Sequence, residues 1–466
     1  MTGTPRSPRR RASQSASIAA LLSFIWPGLG QLYLGRPRAA AAFAGPLVVV
    51  ALIFAVIARE GLDVFVVRLL APGVALPLIL VLLATAAWRL ASMADAFLTA
   101  RGHPAGPAHA RRPGPTWRTT GARRTFSVLV VAVVLTHGVL IGGTLAIARF
   151  GNEIFVGDSS SGPSLRPGQT GEPQLPHETP YVTPKPGGWI NTLLIGADSG
   201  MGYDHALTDT MIVVSANREK GQIAMFSFPR DIARFPMYDG GVYDGKLNSL
   251  MTQAAAHPDQ YPDGGLGTLS RELGYLLGTP IHYYAYVNLA GFKALIDEVG
   301  GVDVVNGRDI NDATYQFPDG KIGFYLSAGP HHLDGRTALA FVRSRQGTGD
   351  NDFTRARRQQ QLLIALRAKL TDPGMLPRLP AILDVAGQTV QTNYPPDQAA
   401  DLLALSKALD GDAIEQIVLG PPYAVRPEPT TGTYILVIDE AKFSALSIRL
   451  FGDESRYTTA PASPVP

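Results

Sequence analysis

Three apolar stretches, near 39–58, 69–91 and 126–148, decide what this 466-residue chain can become. A helix needs about 20 residues to cross the hydrocarbon core of a bilayer, and each stretch reaches that length. Backbone polar groups in lipid must be satisfied within the segment itself, so all three read as membrane helices. Pro72 and Pro77 fall near the start of the second, where neighbouring helices can satisfy the freed carbonyls. Charge orients the spans. Residues 1–150 hold sixteen arginines, no lysine and three acidic residues, a balance of +13, while the rest of the chain carries −10. Arg6, Arg9, Arg10 and Arg11 precede the first span, and Arg101, Arg111, Arg112, Arg118, Arg123 and Arg124 fill the connection between the second and third. Both belong on the cytoplasmic side, which puts everything after residue 150 outside. The third span is too internal for a cleaved signal peptide.

A shorter apolar stretch, 18–35, is interrupted by Pro27, Gly28, Gly30 and Gln31 and reads as a helical hairpin or re-entrant entry into the membrane. Its PGLGQLYLG run resembles the turn of small two-helix membrane modules of the TM2 type, which identifies no chemistry. Nucleic acid is not an expected partner, because the basic residues border hydrophobic spans instead of forming a compact polar domain. Cysteine is absent, so no disulfide framework and no cysteine metal site can form. The expected organisation is a basic tail and membrane helices over 1–150, then a linker over 151–188. The linker carries seven prolines between Asp158 and Gly188, in a stretch also rich in Gly, Ser and Thr. A catalytic domain is expected over 189–455 and a disordered tail over 456–466.

After Trp189 strand and helix signals alternate. WINTLLIG, DTMIVVSA, QIAMFSF, YYAYVNL, GVDVV, ALAFV, IEQIVL and TYILVI read as strands, with ANREKG as a hairpin loop. GFKALIDEVG, Asp352–Leu370, Pro396–Ala408 and Glu440–Phe451 read as helices. The fold class is therefore α/β: an exported sandwich around a mixed sheet, preceded by an all-α transmembrane region.

Chemistry concentrates between Phe341 and Gln361, where Arg343, Arg345, Arg355, Arg357 and Arg358 lie within a short run of an otherwise acidic region. Guanidinium presents a planar fork of donors matched to phosphate oxygens and stays charged at any working pH. On a strand, Arg343 and Arg345 would share one face. Arg355, Arg358 and Gln359 are spaced to stack on one face of a helix. Two such faces suggest a pocket for a highly charged anion such as a pyrophosphate; a solvated basic surface is the plainer reading.

The segments NTLLIGADS, LTDTMIVVS, FSFPRDI, KLN, GFKALIDEVGGVDV, AGPHHLDGRTALAFVRSR and DFTRARRQQ occur in that order. Together they resemble the LytR-CpsA-Psr family, over about residues 189 to 451. The resemblance implies a cell-envelope phosphotransferase that moves a glycopolymer from a polyprenyl pyrophosphate carrier onto peptidoglycan with Mg²⁺. It implies a pyrophosphate clamp of Arg230, Arg343, Arg345, Arg355 and Gln359, with Arg230, Arg345 and Arg355 catalytic. It implies metal ligation by Asp198 and Asp209, at adjacent strand ends, a pattern suited to Mg²⁺. Asp198 as a turn former and Asp209 as a strand-start cap are the plainer roles for those two. Asp231 is expected to orient Arg230, and Arg358 either joins the clamp or holds Asp350 or Asp352. Apolar residues such as those in 281–299 either line a lipid tunnel or form ordinary core. The family usually has arginine where this chain has Gly200 and Leu207, which implies a different head group, weaker catalysis, or compensation by Arg234 or Lys246. Competing readings are a hydrolase of polyprenyl pyrophosphate and a non-catalytic polyprenyl-phosphate-binding envelope regulator.

Overall fold

A computed structural model describes residues 15–57, 59, 61–71, 73–102, 116–154, 182–197, 208–347, 349–408, 413–427 and 433–459. The chain divides into two compact units, Met1–Phe65 with Pro72–Ala148, and Val66–Ala71 with Arg149–Pro466.

In the first unit three helices are long and apolar enough to cross a membrane: Pro37–Ile57, Ala75–Arg101 and Gly121–Arg149. The second starts and ends later than the expected 69–91, because Leu69–Ala71 belong to the turn after a short helix, Leu62–Arg68. The interrupted stretch forms two short helices, Ala16–Ile25 and Leu29–Tyr33, joined at Gly28 in the left-handed region. The hairpin packs closely: a Cβ on Gly30 would stand 2.2 Å from the Ala19 carbonyl oxygen. Its polar face is buried. Gln31 donates through Nε2 to the Ser92 carbonyl at 2.8 Å and to Asp95 at 3.1 Å, and its Oε1 accepts from Ser23 at 3.2 Å. Arg36 closes the group on Asp95 at 2.8 Å and Thr99 at 2.9 Å.

The second unit is built on a six-stranded mixed sheet of β1 (Ile190–Ala197), β2 (Thr208–Asn217), β3 (Gln222–Ser227), β4 (Tyr283–Asn288), β5 (Val390–Thr392) and β6 (Glu415–Val418). Their order is β5-β4-β1-β2-β3-β6, with β1–β4 and β3–β6 parallel and the other pairs antiparallel. Alternation along β2 serves two layers. Met211 and Val213 join the core beneath helices Leu247–Ala256, Gly264–Leu277 and Glu440–Phe451, while Ile212 and Ala216 meet Leu363, Ile364 and Leu402 on the opposite face. A further core gathers Ile296, Val302, Phe324, Phe341 and Leu362 around helix Gly335–Arg343 and hairpin Ile310–Gln316/Ile322–Leu326. This is the expected α/β sandwich around a mixed sheet.

Three local expectations change. ALAFV is helical, within Gly335–Arg343, because Asp334 caps it by accepting from the Thr337 N–H and Ala338, Leu339, Phe341 and Val342 form a buried helical stripe. Short apolar runs cannot be assigned by periodicity alone. TYILVI supplies only the two-residue strand Val437–Ile438 plus a bridge from Leu436 to Ile232. The tail expected from 456 is structured at its start: Arg456–Thr459 form a helical turn, with Arg456 stacked 3.7 Å over the Tyr275 ring. Residues 460–466 and 155–181 lie outside the described residues.

Candidate functional site

One end of the sheet collects the charged motifs. β1, β3 and β4 finish there and β2 begins there, as the pairings Ala197↔Thr208, Ile212↔Ser227 and Ala197↔Asn288 require. The β1–β2 register shifts at this end: Gly196 pairs with Thr210 and Ala197 with Thr208, leaving Asp209 as the bulged residue. Bulges recur beside functional sites, where they redirect the chain. Asp198, like Gly200 and Leu207, lies outside the described residues.

The segments are tied through the Asn248 main chain. The Thr208 hydroxyl donates to the Asn248 carbonyl at 3.2 Å, and the Asn248 N–H donates to the Arg230 carbonyl at 3.2 Å. Asp231 takes Lys246 at 2.5 Å, its closest ion pair, and stands 3.8 Å from the Arg230 Nε. Arg230 lies nearer Asp352, at 3.6 Å. Asp352 opens the helix Asp352–Leu370, held by an N-terminal capping box of Asn351 and Thr354. One turn on, Arg355 reaches back to Asp352 at 3.2 Å. Two guanidinium groups from segments far apart in sequence thus converge on one carboxylate. Arg355 is buried and Arg230 nearly so.

The same helix face carries Arg358 and Gln359. Arg358 pairs with Asp350 at 3.3 Å and donates to the Ser344 carbonyl, the second of the two roles foreseen for it. Its Nε and Nη1 are buried with no hydrogen-bond partner among the described residues. Burial pulls its pKa down from the usual guanidinium range; Asp350 opposes this, while Arg308 and Arg355 add to it. Gln359 donates to Thr210 at 2.9 Å, next to Asp209, and to the Val342 carbonyl at 3.3 Å. The site therefore assembles Arg230, Arg355 and Gln359 with the start of β2.

Arg343 and Arg345 are placed differently. Arg343 ends a helix and Arg345 follows outside any helix or strand, so they do not share a strand face. Both are exposed and line a depression with Asp312, Thr314, Tyr315, Gln316 and Gln346. Burial pushes the Asp312 carboxyl up, but hydrogen bonds from Ser344, Thr314 and the Gln346 N–H outweigh it and hold the group below its usual range. Within 281–299, Tyr283, Tyr284, Tyr286, Leu295 and Ile296 are buried, while Lys293 and Asp297 are exposed.

Sequence reasoning missed two neighbours and the role of a third: Asp352, foreseen only as a partner of Arg358, is the hub for Arg230 and Arg355. Tyr434 sits close enough that burial, then the charges of Asp231 and Asp352, raise its phenol above the ordinary range. Arg426 stacks 5.4 Å over the Tyr434 ring. No local pattern marks any of them. Among the described residues no group of three or more His, Asp or Glu side chains is arranged to hold a metal. Carboxylates such as those of Asp198 and Asp209 are the donor type Mg²⁺ prefers, and of the two only the backbone of Asp209 falls within the described residues.

Fold and site define an α/β domain with a guanidinium-rich sheet end, carried on a chain with three candidate membrane helices. Residues 169–449 match the LytR_cpsA_psr family, and the chain belongs to it. It is 31% identical over 213 residues to a polyisoprenyl-teichoic acid--peptidoglycan teichoic acid transferase TagU of Bacillus anthracis, covering 46% of this chain and 63% of that protein. A TagU of Oceanobacillus iheyensis is 32% identical over 214 residues, covering 46% and 62% respectively. The chain thus spans less than two thirds of the length of these curated relatives. The crystal structure of B. subtilis TagV aligns with a TM-score of 0.48 at 23% identity, covering 59% of this chain and 100% of that one.

Proposed function

We propose that this protein is a membrane-anchored phosphotransferase that moves a glycopolymer from a polyprenyl pyrophosphate carrier onto peptidoglycan, outside the cell. The convergence of Arg230 and Arg355 on Asp352, beside the bulge at Asp209, is the observation that carries this reading. The names of the TagU relatives agree with it. Phosphoryl transfer asks a protein chiefly for positioning and charge stabilisation, which fixed guanidinium groups supply.

In this scheme the pyrophosphate displaces part of the Asp352 pairing and takes its charge-assisted bonds from Arg230 and Arg355, with Gln359 fixing the geometry at β2. Arg343 and Arg345 receive the same anion from the adjoining depression. An acceptor hydroxyl attacks the phosphorus nearer the glycan and forms a new P–O bond. The bond from that phosphorus to the bridging oxygen breaks, polyprenyl phosphate departs, and the hydroxyl proton passes to a carboxylate or to water. Asp198 and Asp209 would hold Mg²⁺, which supplies charge neutralisation for the pyrophosphate. Asp231, held by Lys246, keeps the segment bearing Arg230 in place.

The test incubates the full-length protein in bilayer discs with a synthetic lipid-pyrophosphoryl saccharide, peptidoglycan fragments and Mg²⁺, comparing Arg355→Ala. Saccharide–peptidoglycan product from the wild type and almost none from the variant is expected. Equal product from both removes the site assignment, and product independent of the acceptor indicates a hydrolase.

A further inference from the structure

Arg345 stands outside any helix or strand, so no ladder of main-chain bonds fixes the direction of its side chain. The residues on either side of it are nevertheless tied to one distant group. The Ser344 hydroxyl donates to Asp312 Oδ2 at 2.7 Å, and the Gln346 N–H donates to the same oxygen at 3.3 Å. The chain is thus pinned before and after Arg345 by a single carboxylate. Arg358 adds a third tie by donating to the Ser344 carbonyl.

The other carboxylate oxygen serves the hairpin that faces this segment across the depression. Thr314 donates to Asp312 Oδ1 through its N–H at 3.2 Å and through its hydroxyl at 2.9 Å. Thr314 falls where the hairpin Ile310–Gln316/Ile322–Leu326 shifts register, between Asp312 and Gln316. Thr314, Tyr315 and Gln316 line the depression together with Arg343, Arg345 and Gln346. An irregular piece of hairpin and an irregular connection, neither held by regular secondary structure, therefore share one anchor.

That anchor is buried: Asp312 and Ser344 are each 1% exposed. The pKa of Asp312 lies below the ordinary carboxylate range, so the group is ionised at neutral pH. An ionised carboxylate offers about four lone-pair sites, and the donors from Ser344, Gln346 and Thr314 fill them. With every site filled, Asp312 has no lone pair left for a metal or a proton and acts through the residues it holds. Burying a charge is costly unless it is hydrogen-bonded in this way. The residue type follows, because an asparagine of the same shape would turn amide donors toward groups that themselves donate.

We propose that Asp312 is a positioning residue that aims Arg345 into the depression and fixes the two walls against each other. This deepens the transferase reading and rests on it, since Arg345 is there a ligand of the pyrophosphate.

The experiment measures transfer by the full-length protein in bilayer discs, from a synthetic lipid-pyrophosphoryl saccharide to peptidoglycan fragments, with KM for the lipid donor and kcat read separately. Asp312→Asn is expected to raise that KM about tenfold, near the low end of what a hydrogen bond to a charged group contributes, with kcat changed less. Ser344→Ala keeps the carboxylate and its Thr314 bonds; it should raise the same constant by a smaller factor and serves if Asp312→Asn folds poorly. In an Arg345→Ala background neither substitution should raise KM further, because the side chain they aim is gone. A purely structural role would instead lower the melting midpoint and the active fraction, reducing kcat at unchanged KM. That result, an equal rise in KM with and without Arg345, or a wild-type KM in Arg345→Ala itself overturns the proposal while the transferase reading stands. If the wild type transfers no saccharide, both fall together.

Discussion

Two regions bury polar side chains, and they do so in opposite ways. Around Gln31 in the helical unit the amide is satisfied at both ends, by Ser23, Ser92 and Asp95. Beneath the helix Asp352–Leu370, among the described residues, Arg358 has two buried nitrogens without acceptors, and Gln360 leaves Oε1 unpaired while its Nε2 bonds the Met225 and Ile417 carbonyls and Ser227. A closed network fixes helix against helix, as interhelical hydrogen bonds in bilayers do. The open one leaves two guanidinium donors of Arg358 and one amide acceptor of Gln360 unmatched among the described residues. The contrast teaches that buried polarity by itself does not mark function: it is closed around Gln31 and left open at Arg358 and Gln360.

Substitutions can break this contrast. The largest effect is expected for Arg355→Ala, which removes a charge-assisted contact and should cost about 2.7–4 kcal/mol of transition-state stabilisation, roughly a 10²–10³-fold fall in kcat. A fall below tenfold in a transfer assay would place Arg355 outside the anion site. Next is an acid effect on stability. Burial lowers the pKa of His282 to about 4, and its Nδ1 accepts the Asn191 N–H at 2.9 Å. The neutral ring therefore contributes stability that is fully present above pH 6.5, shrinks as pH falls below it and is lost through pH 4, up to about 3 kcal/mol. Melting midpoints from pH 7.5 to 4 should drop, and His282→Asn should flatten the curve. The smallest is Gln31→Leu. It strips partners from Ser23 and Asp95 and should destabilise the hairpin by about 1–2 kcal/mol, with transfer unchanged. Protease accessibility of the hairpin in bilayer discs reads the first part, and a matching loss of transfer would show that the closed network also serves the chemistry.

Much of this architecture is legible in the sequence because it depends on local pattern. Asp352–Leu370, Pro396–Ala408 and Glu440–Phe451 are helices at the expected residues, and β1 to β4 fall on their apolar runs. The spacing of Arg355, Arg358 and Gln359 does place them on one helix face, turned toward β2 and the Ser344 segment. Local pattern fails where a distant partner decides. ALAFV is equally apolar as strand or helix, and the Asp334 cap settles it. Arg343 and Arg345 consequently line their own depression. Asp352 as the meeting point of Arg230 and Arg355, and Tyr434 beside it, follow from sheet topology, which no spacing encodes.

The central claim is that Arg230 and Arg355 act on one pyrophosphate. A double-mutant cycle of Arg230→Ala and Arg355→Ala, scored by saccharide transfer from lipid pyrophosphate to peptidoglycan fragments, tests it most directly. The account predicts strong coupling, with the double variant losing little more activity than either single one. Losses that simply multiply, or singles that transfer as well as the wild type, would contradict it.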